Sequence, residues 1–412
     1  MSATNSLFRQ THVLLRSSLL SLPRRAALAL SMTLSTALAV SVLAGFLAMA
    51  AGFEKTLNGT GSPRTAVVLG GTQTQEIGSS ISADALRTLL ASRDDFGVSR
   101  SPEGAPLVSR EMVIPVSLKQ ADGQETILAL RGMEIEGLSA RPDVRLAAGR
   151  MFTPGARELV AGKGLARSMP GLAPGSKIRL SGVEWTVTGL FSAGGSAFES
   201  EFWTGLEALQ AAFNHAGDVQ SLRLLLTEPG ILAPLQEKLS SLPGPGLTAL
   251  TEAQLYAGQS ARTADLIRLF GWPVAGLMAL GAAAGVLNTM YSSVSSRSGE
   301  IATLRALGFA RLPTFLAVWI EAICLAGLGT ALGIFGSWLV FNGWQASTSG
   351  TGNTRLSFEL SIDSHVMLTC SLLGLALSLA GGALPALAAA RLPCTRHCGR
   401  SIDLETKRPD SP

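Results

Sequence analysis

Four long runs of apolar residues, almost free of charge, constrain this sequence more than any other feature. They extend over residues 26–53, 270–294, 314–341 and 366–390. Each run exceeds the ~20 residues that an α-helix needs to cross a ~30 Å hydrocarbon layer. Glycine and alanine are frequent in the runs, and small residues let membrane helices pack closely. The sequence therefore predicts four transmembrane helices that form a bundle.

The composition supports a membrane protein that also has a large soluble part. Only 15% of the 412 residues are Asp, Glu, Lys or Arg, against about 25% in a typical soluble protein. The apolar fraction of 47% is ordinary, so charge is missing from particular segments and not from the whole chain. The net charge of +4 is too small over this length to indicate a nucleic-acid partner.

The first apolar run has a second interpretation, as a secretory signal peptide. Arg24 and Arg25 precede it, and the Ala-Met-Ala at 48–50 resembles a cleavage site. The apolar core of a signal peptide is only ~7–15 residues long, and this run is about twice that length. An uncleaved membrane helix is therefore favoured.

Basic residues indicate the orientation of the four spans in the membrane. They concentrate in three segments: the N-terminus with Arg9, Arg16, Arg24 and Arg25; the loop with Arg297, Arg305 and Arg311; and the tail with Arg391, Arg396 and Arg400. Alternating spans place all three segments on one side, and positively charged loops face the cytoplasm. We therefore expect a multi-pass protein of the bacterial plasma (inner) membrane with both termini cytoplasmic. Residues 54–265 and the short loop 342–365 then lie outside.

The insertion 54–265 has the pattern of a folded α/β domain. Its predicted strands are 64–71, 111–119, 125–133, 219–227 and 247–250, and its predicted helices are 82–92, 204–214 and 230–242. The glycine-rich residues of about 145–215 predict a β-rich insertion. The domain should therefore consist of two subdomains, a split α/β subdomain and the β-rich one within it. Trp185 and Trp203 are expected in its core or at a subdomain contact.

The remaining segments complete the predicted layout. Residues 252–269 continue the helical pattern into the second span, which predicts a stalk helix. Residues 1–25 form a cytoplasmic N-terminus, 295–313 a cytoplasmic loop and 391–412 a cytoplasmic tail.

Catalytic and metal-binding patterns are lacking in the sequence. The nearest string to a phosphate-binding loop, at 160–168, lacks the Ser/Thr that would hold magnesium. Cys394 and Cys398 flank His397, but a structural zinc site needs four ligands in paired clusters. We therefore expect no catalytic, cofactor-binding or metal-binding residues, and a protein that is not itself an enzyme.

The loop between the second and third spans predicts a short amphipathic helix, SRSGEIATLRALG (296–308). Ile301, Leu304 and Leu307 would form an apolar ridge flanked by Glu300 and Arg305, with Gly308 ending the helix. Such a helix either lies on the lipid interface or docks in a groove of a soluble partner.

This loop resembles the FtsX-like permease family. The matching residues are Ser293, Arg297, Glu300, Ile301, Leu304, Arg305, Ala306, Leu307 and Gly308. The order of one span, a large insertion and three further spans also resembles that family, as does ALPALAAARL at the end of the last span. The insertion, through residues 146–166 and 175–191, is similar to a MacB-type periplasmic domain.

The resemblance implies the permease subunit of an ABC transporter. A separate cytoplasmic ATPase would bind ATP and magnesium, so this chain would hold no cofactor. The loop would be the coupling helix, with Arg297, Glu300, Ile301, Leu304, Arg305, Leu307 and Gly308 at the ATPase contact. The work would be export or extraction of a lipoprotein or lipid.

The resemblance also implies partners and leaves one alternative function. The permease would pair with a second copy or with a different permease, in contact with membrane lipids, and a periplasmic adaptor could join the outer domain. The alternative is an FtsX-like regulator that transmits the state of an ATPase to a periplasmic partner. The size of the insertion favours the transporter.

Glu321 is an acidic residue well inside the third span, ~10 Å from its cytoplasmic start. Acids inside a membrane usually face a bundle interior or a basic partner. We expect a bond between Glu321 and the coupling loop, with Arg305 or Arg311 as the partner. The other interpretation, a place in a transport pathway, is less favoured.

Overall fold

A computed structural model describes residues 3–91, 97–119, 123–241, 246–307 and 309–391. The chain divides into two compact units. The helical unit is formed by residues 1–48, 267–342 and 362–412, and the α/β unit by residues 49–266 and 343–361.

Four helices in the described part of the chain are long and apolar enough to cross a membrane. They are α2 (Ala26–Asn58), α7 (Glu252–Ser296), α9 (Arg311–Phe341) and α10 (Ser364–Ala390). α7 is one continuous helix that contains Pro273. Two further helices lie in the helical unit: α1 (Ala3–Leu20) and α8 (Ser298–Ala306).

Glycines bring the long helices into close contact. A Cβ at Gly329 or Gly333 of α9 would lie 2.5 Å or 2.7 Å from a backbone oxygen of α2. A Cβ at Gly374 of α10 would clash with the Thr330 hydroxyl of α9. The close packing that the sequence predicted for these runs therefore depends on glycine, which has no Cβ, at these positions.

The α1 helix lies in a segment that the sequence described only as a basic N-terminus. A short 3-10 turn, Leu22–Arg25, separates α1 from α2. The buried residues of α1 include Leu14 and Ser18, whereas Arg9 and Arg16 are exposed. α1 is thus an amphipathic helix, and its many polar residues explain why hydropathy alone did not reveal it.

The main part of the α/β unit is one ten-stranded sheet. Its strands are β1 (Thr65–Gly70), β2 (Val108–Lys119), β3 (Glu125–Met133), β4 (Arg145–Gly149), β5 (Glu158–Gly162), β6 (Lys177–Leu180), β7 (Val183–Ser192), β8 (Glu201–Gly205), β9 (Ser221–Leu225) and β10 (Leu247–Thr251). The order is β10-β1-β9-β2-β3-β8-β5-β7-β4, with β6 paired to β2 and β7. The helices are α3 (Ala83–Ala91), α4 (Lys163–Ser168), α5 (Leu206–Phe213) and α6 (Leu232–Ser241).

Two hydrophobic cores lie along this sheet. One core contains Val68, Leu89 and Leu224. The other contains Leu130, Trp185 and Phe202. Strand β3, which lies outside the predicted insertion 145–215, contributes to the second core and pairs in parallel with β8. The β-rich subdomain therefore shares strands with the rest of the unit.

The predicted loop 342–365 contains a β-hairpin of β11 (Gln345–Ser349) and β12 (Arg355–Glu359). The Phe358 ring packs edge to face against Phe53, with ring centroids 5.5 Å apart. The Ser357 backbone N–H donates to the Ser200 hydroxyl at 3.0 Å. The hairpin is thus part of the α/β unit and not a free connection.

Candidate functional site

The predicted coupling segment folds as α8, which follows α7 after the single residue Arg297. The Ile301 N–H donates to the Arg297 carbonyl at 2.9 Å, which closes the first turn of α8. The helix ends at Ala306, and Gly308, the predicted terminator, lies outside the described residues. The side chain of Arg305 also lies outside them.

The three apolar residues of the predicted ridge, Ile301, Leu304 and Leu307, are not all exposed on one surface. Ile301 is buried in a core with Val294 and Val318, and Leu304 is half-buried. Leu307 is 74% exposed, and the Glu300 side chain is 67% exposed. One face of α8 is therefore fixed against α7 and α9, while the face with Glu300 and Leu307 is open.

Arg297 was expected on the partner-binding surface, but its side chain is only 12% exposed. Its Nη1 donates to the Ser18 hydroxyl at 2.6 Å and to Glu321 Oε2 at 3.3 Å. Its Nη2 donates to the Ser21 hydroxyl at 3.1 Å. Arg297 thus holds the start of α8 in place and does not present its guanidinium for docking.

Glu321 is buried in the helical unit. Its carboxylate accepts hydrogen bonds from Ser18 of α1 and from Arg297. The expected partners Arg305 and Arg311 are nearer to Glu321 along the chain. Arg297 lies 24 residues before Glu321 and approaches it only through the fold. The expected bond between Glu321 and the coupling loop is present, with Arg297 as the partner.

The α1 helix supplies site residues that sequence reasoning missed. Besides Ser18 and Ser21, Gln10 accepts a hydrogen bond from the Ala310 N–H just before α9, at 3.3 Å. A helical pattern of Leu7, Leu14 and Ser18 facing one way was the available signal. The site thus joins α1, α8 and α9 around one ion pair.

The α/β unit contains a second polar cluster that the sequence did not suggest. It consists of three arginines and four glutamates, all nearly or fully buried: Arg131, Arg141, Arg223, Glu76, Glu111, Glu201 and Glu252. They come from the central strands, from two loops and from the first turn of α7. We call this set the buried ion network.

Arg131 is the most connected member of the buried ion network. Its Nε donates to Glu201 at 2.7 Å, and its Nη1 donates to Glu76 and to Glu111, both at 3.0 Å. Its Nη2 donates to the Tyr256 hydroxyl of α7 at 3.2 Å. The Arg223 Nε donates to Glu252 of α7 at 2.8 Å. The first turns of α7 are therefore bonded to the sheet.

Electrostatics lower the pKa values of two carboxylates of this network, Glu76 and Glu111. Burial alone would raise the pKa of Glu76, but the charges of Arg131 and Arg223 outweigh it and hold that pKa well below its ordinary value. Burial would likewise raise the pKa of Glu111, and the charges of Arg141, Arg223 and Arg131 lower it. The network is thus a set of mutually compensated charges.

Neither cluster has the composition of a metal centre. Across the described ranges, no group of three or more His, Cys, Asp or Glu side chains is arranged to hold a metal ion. Cys394 and Cys398 lie outside the described residues. Both clusters can hold the helices and strands that they connect in fixed positions, through charge-assisted hydrogen bonds.

Comparison with known proteins agrees with this architecture. Residues 29–242 match the model of the MacB-like periplasmic core domain, and residues 273–394 match the model of the FtsX-like permease C-terminal domain. No curated protein matches the chain.

Two solved structures are similar to part of the chain. The periplasmic region of MacB from Actinobacillus actinomycetemcomitans is 11% identical with a TM-score of 0.37, over 49% of this chain and 94% of that one. The extracellular domain of the noncanonic ABC-type transporter YknZ from Gram-positive bacteria is 15% identical with a TM-score of 0.33, over 45% and 100%. From the two family matches, which together cover most of its length, the chain belongs to the FtsX/MacB-type family of ABC transporter permeases.

Proposed function

We propose that this chain is the permease subunit that couples ATP hydrolysis by a separate ATPase to mechanical work on an extracytoplasmic or lipid-borne substrate. The observation that carries the proposal is the division of α8 into a fixed face and an open face. Ile301 and Arg297 anchor the helix to its neighbours, while Glu300 and Leu307 are exposed. A helix held in this way can transmit a push from a bound partner without turning away from it.

The contacts of Arg297 determine which helices would move if a bound partner displaced α8. Arg297 connects the start of α8 to α1 through Ser18 and Ser21, and to α9 through Glu321. A displaced α8 must therefore move these helices or break a buried ion pair, and breaking such a pair is costly. In this proposal Arg297 and Glu321 are positioning residues, and Glu300, Leu304 and Leu307 form the contact with the ATPase.

The remaining features of the proposal follow from the family. The ATPase subunit, and not this chain, binds ATP and magnesium, so this chain is a non-catalytic subunit. Two permeases, identical or different, pair in the inner membrane with both termini in the cytoplasm. The cargo is exported or extracted from the membrane, and a periplasmic adaptor is an optional further partner.

Charge reversal at the open face of α8 tests the proposal. The chain is co-expressed with a candidate ABC ATPase subunit from the same organism, purified through a tag on the permease, and assayed for bound ATPase and ATP turnover. Glu300→Lys and Leu307→Glu should each reduce the bound ATPase at least tenfold, because both place a wrong charge at the contact. The matched control is Glu237→Lys on the exposed surface of α6, which should leave the complex intact.

The result is decisive in both directions. If Glu300→Lys and Leu307→Glu bind the ATPase as well as the control and hydrolyse ATP at the same rate, α8 is not the docking helix. A stable complex with the unaltered chain, lost only in the two α8 variants, supports the assignment.

A further inference from the structure

The outward face of α1 combines exposed arginines with exposed apolar side chains. Arg9, Val13, Arg16 and Leu20 are spaced by four, three and four residues, so they lie along one face of the helix. All four are exposed, and Val13 and Leu20 are among the large apolar residues that the structure leaves uncovered. The opposite face carries the buried Leu14 and Ser18.

The charged residues of α1 itself have one sign only. Residues 1–53 contain no Asp or Glu, and the first acidic residue of the chain is Glu54. Arg9 and Arg16 therefore have no acidic neighbour on α1 or on the apolar part of α2. Such a surface attracts anions, and its apolar side chains require a partner that is also apolar.

The position of α1 in the helical unit narrows the choice of partner. Only the short turn that ends at Arg25 separates α1 from α2, which is long and apolar enough to cross the membrane. On its inner face, α1 is fixed to α9 through the bond between Ser18 and Glu321. A helix tied in this way to the end of a membrane span lies at the level of the lipid head groups.

We propose that the face formed by Arg9, Val13, Arg16 and Leu20 is a binding surface for anionic phospholipids. The two guanidinium groups bind head-group phosphates, and Val13 and Leu20 insert between the acyl chains. Neutral phospholipids offer phosphate but no net negative charge, so they bind this face more weakly. The inference depends on the membrane location of the chain and does not require an ATPase partner.

Hydrogen exchange of the full chain in lipid nanodiscs tests the inference. Exchange of the amides of residues 3–20 is measured by mass spectrometry in discs of phosphatidylcholine and in discs with one quarter phosphatidylglycerol. Exchange of α1 should be slower in the anionic discs. Each arginine near an anionic surface strengthens binding about fivefold, so the two together give up to about 25-fold.

Variants of Arg9 and Arg16 distinguish an effect of their charge from an effect of misfolding. Arg9→Glu with Arg16→Glu should abolish the difference between the discs, whereas Arg9→Lys with Arg16→Lys should keep most of it. The control, Arg87→Glu with Arg179→Glu, changes the net charge equally at exposed sites of the α/β unit. Exchange of α10 in every variant verifies that the helical unit is folded. Salt at 0.5 M should reduce the effect, since it shortens the range of charge interactions.

Two results would overturn the inference. One is equal exchange of α1 in neutral and anionic discs for the unaltered chain, which would mean that apolar contact alone holds the helix. The other is full protection of the doubly charge-reversed chain in anionic discs while α10 is unchanged.

Discussion

Replacement of Arg131 by methionine should strongly destabilise the α/β unit. Methionine is flexible, uncharged and somewhat smaller than arginine, so Arg131→Met removes one positive charge from the buried ion network while its apolar chain still fills most of the space. It leaves four carboxylates facing two arginines, and Glu201 loses both of its bonds from Arg131. Breaking a buried ion pair by removing one partner costs about 3–5 kcal/mol of unfolding free energy.

The loss of stability in Arg131→Met should be larger at high pH than at low pH. In the unaltered chain the pKa values of Glu76 and Glu111 are lowered, so their contribution to stability is present above the ordinary pKa of a glutamate and is lost as the pH falls through the lowered values. In Arg131→Met an uncompensated buried carboxylate takes up a proton more readily, because burial raises its pKa. The stability difference between the two proteins should therefore be largest near pH 8 and smaller near pH 5.

Thermal unfolding of the full chain in nanodiscs measures the difference. Heating is combined with brief proteolysis, and cleavage within residues 64–251 is followed by mass spectrometry, so that the α/β unit is observed separately. For a domain of 150–250 residues, 1 kcal/mol corresponds to about 2–4 °C in Tm, so we expect a decrease of about 6–20 °C at pH 8.

The control for this experiment is Lys177→Met. It breaks the ion pair between Lys177 and Glu184, which is 2.9 Å long and largely exposed. An exposed pair contributes about 0–1 kcal/mol, so its loss should lower Tm by less than about 4 °C. The reasoning is refuted if Arg131→Met lowers Tm no more than Lys177→Met, or by the same amount at pH 8 and at pH 5.

Two further substitutions test the helical unit. Gly374→Val should lower the thermal stability of the helical unit, because the new side chain meets the Thr330 hydroxyl; Gly276→Val, where the structure leaves open space, is the control, and equal stabilities would contradict the packing argument. Glu321→Gln removes the ion-pair partner of Arg297 and should speed hydrogen exchange of residues 298–307 severalfold; unchanged exchange would show that Glu321 does not position α8.

The sequence predicted the long helices and most strands because their signals are local. Hydropathy located the four apolar helices, and apolar runs with short alternation located β1, β2, β3 and β9. The hairpin of β11 and β12 gave no such signal: β11 is Gln-Ala-Ser-Thr-Ser, and its pairing depends on contacts with distant residues such as Phe53.

The buried charges could not be predicted for a related reason. Arg131 and Glu201 are 70 residues apart in the chain, and Arg223 and Glu76 are 147 apart. In a single sequence an arginine on a strand is expected to face solvent, because burying an unpaired charge is prohibitive. The fold brings the compensating carboxylates to these arginines: the pairing of β8 with β3 places Glu201 near Arg131, and Glu76 approaches Arg223 from a loop.

The two polar clusters lie next to the two ends of one helix. Glu252 and Tyr256, in the first turns of α7, bond to Arg223 and Arg131 of the sheet, and Arg297 directly follows the last residue of α7. Charge-assisted hydrogen bonds tolerate few geometries, so each end of α7 is held in one register within its own unit. If α7, which contains the predicted stalk helix, transmits force, loosening either end should uncouple ATP hydrolysis from cargo movement without stopping hydrolysis. Glu252→Gln at one end and Glu321→Gln near the other should then have the same functional effect, although only the first weakens the buried ion network.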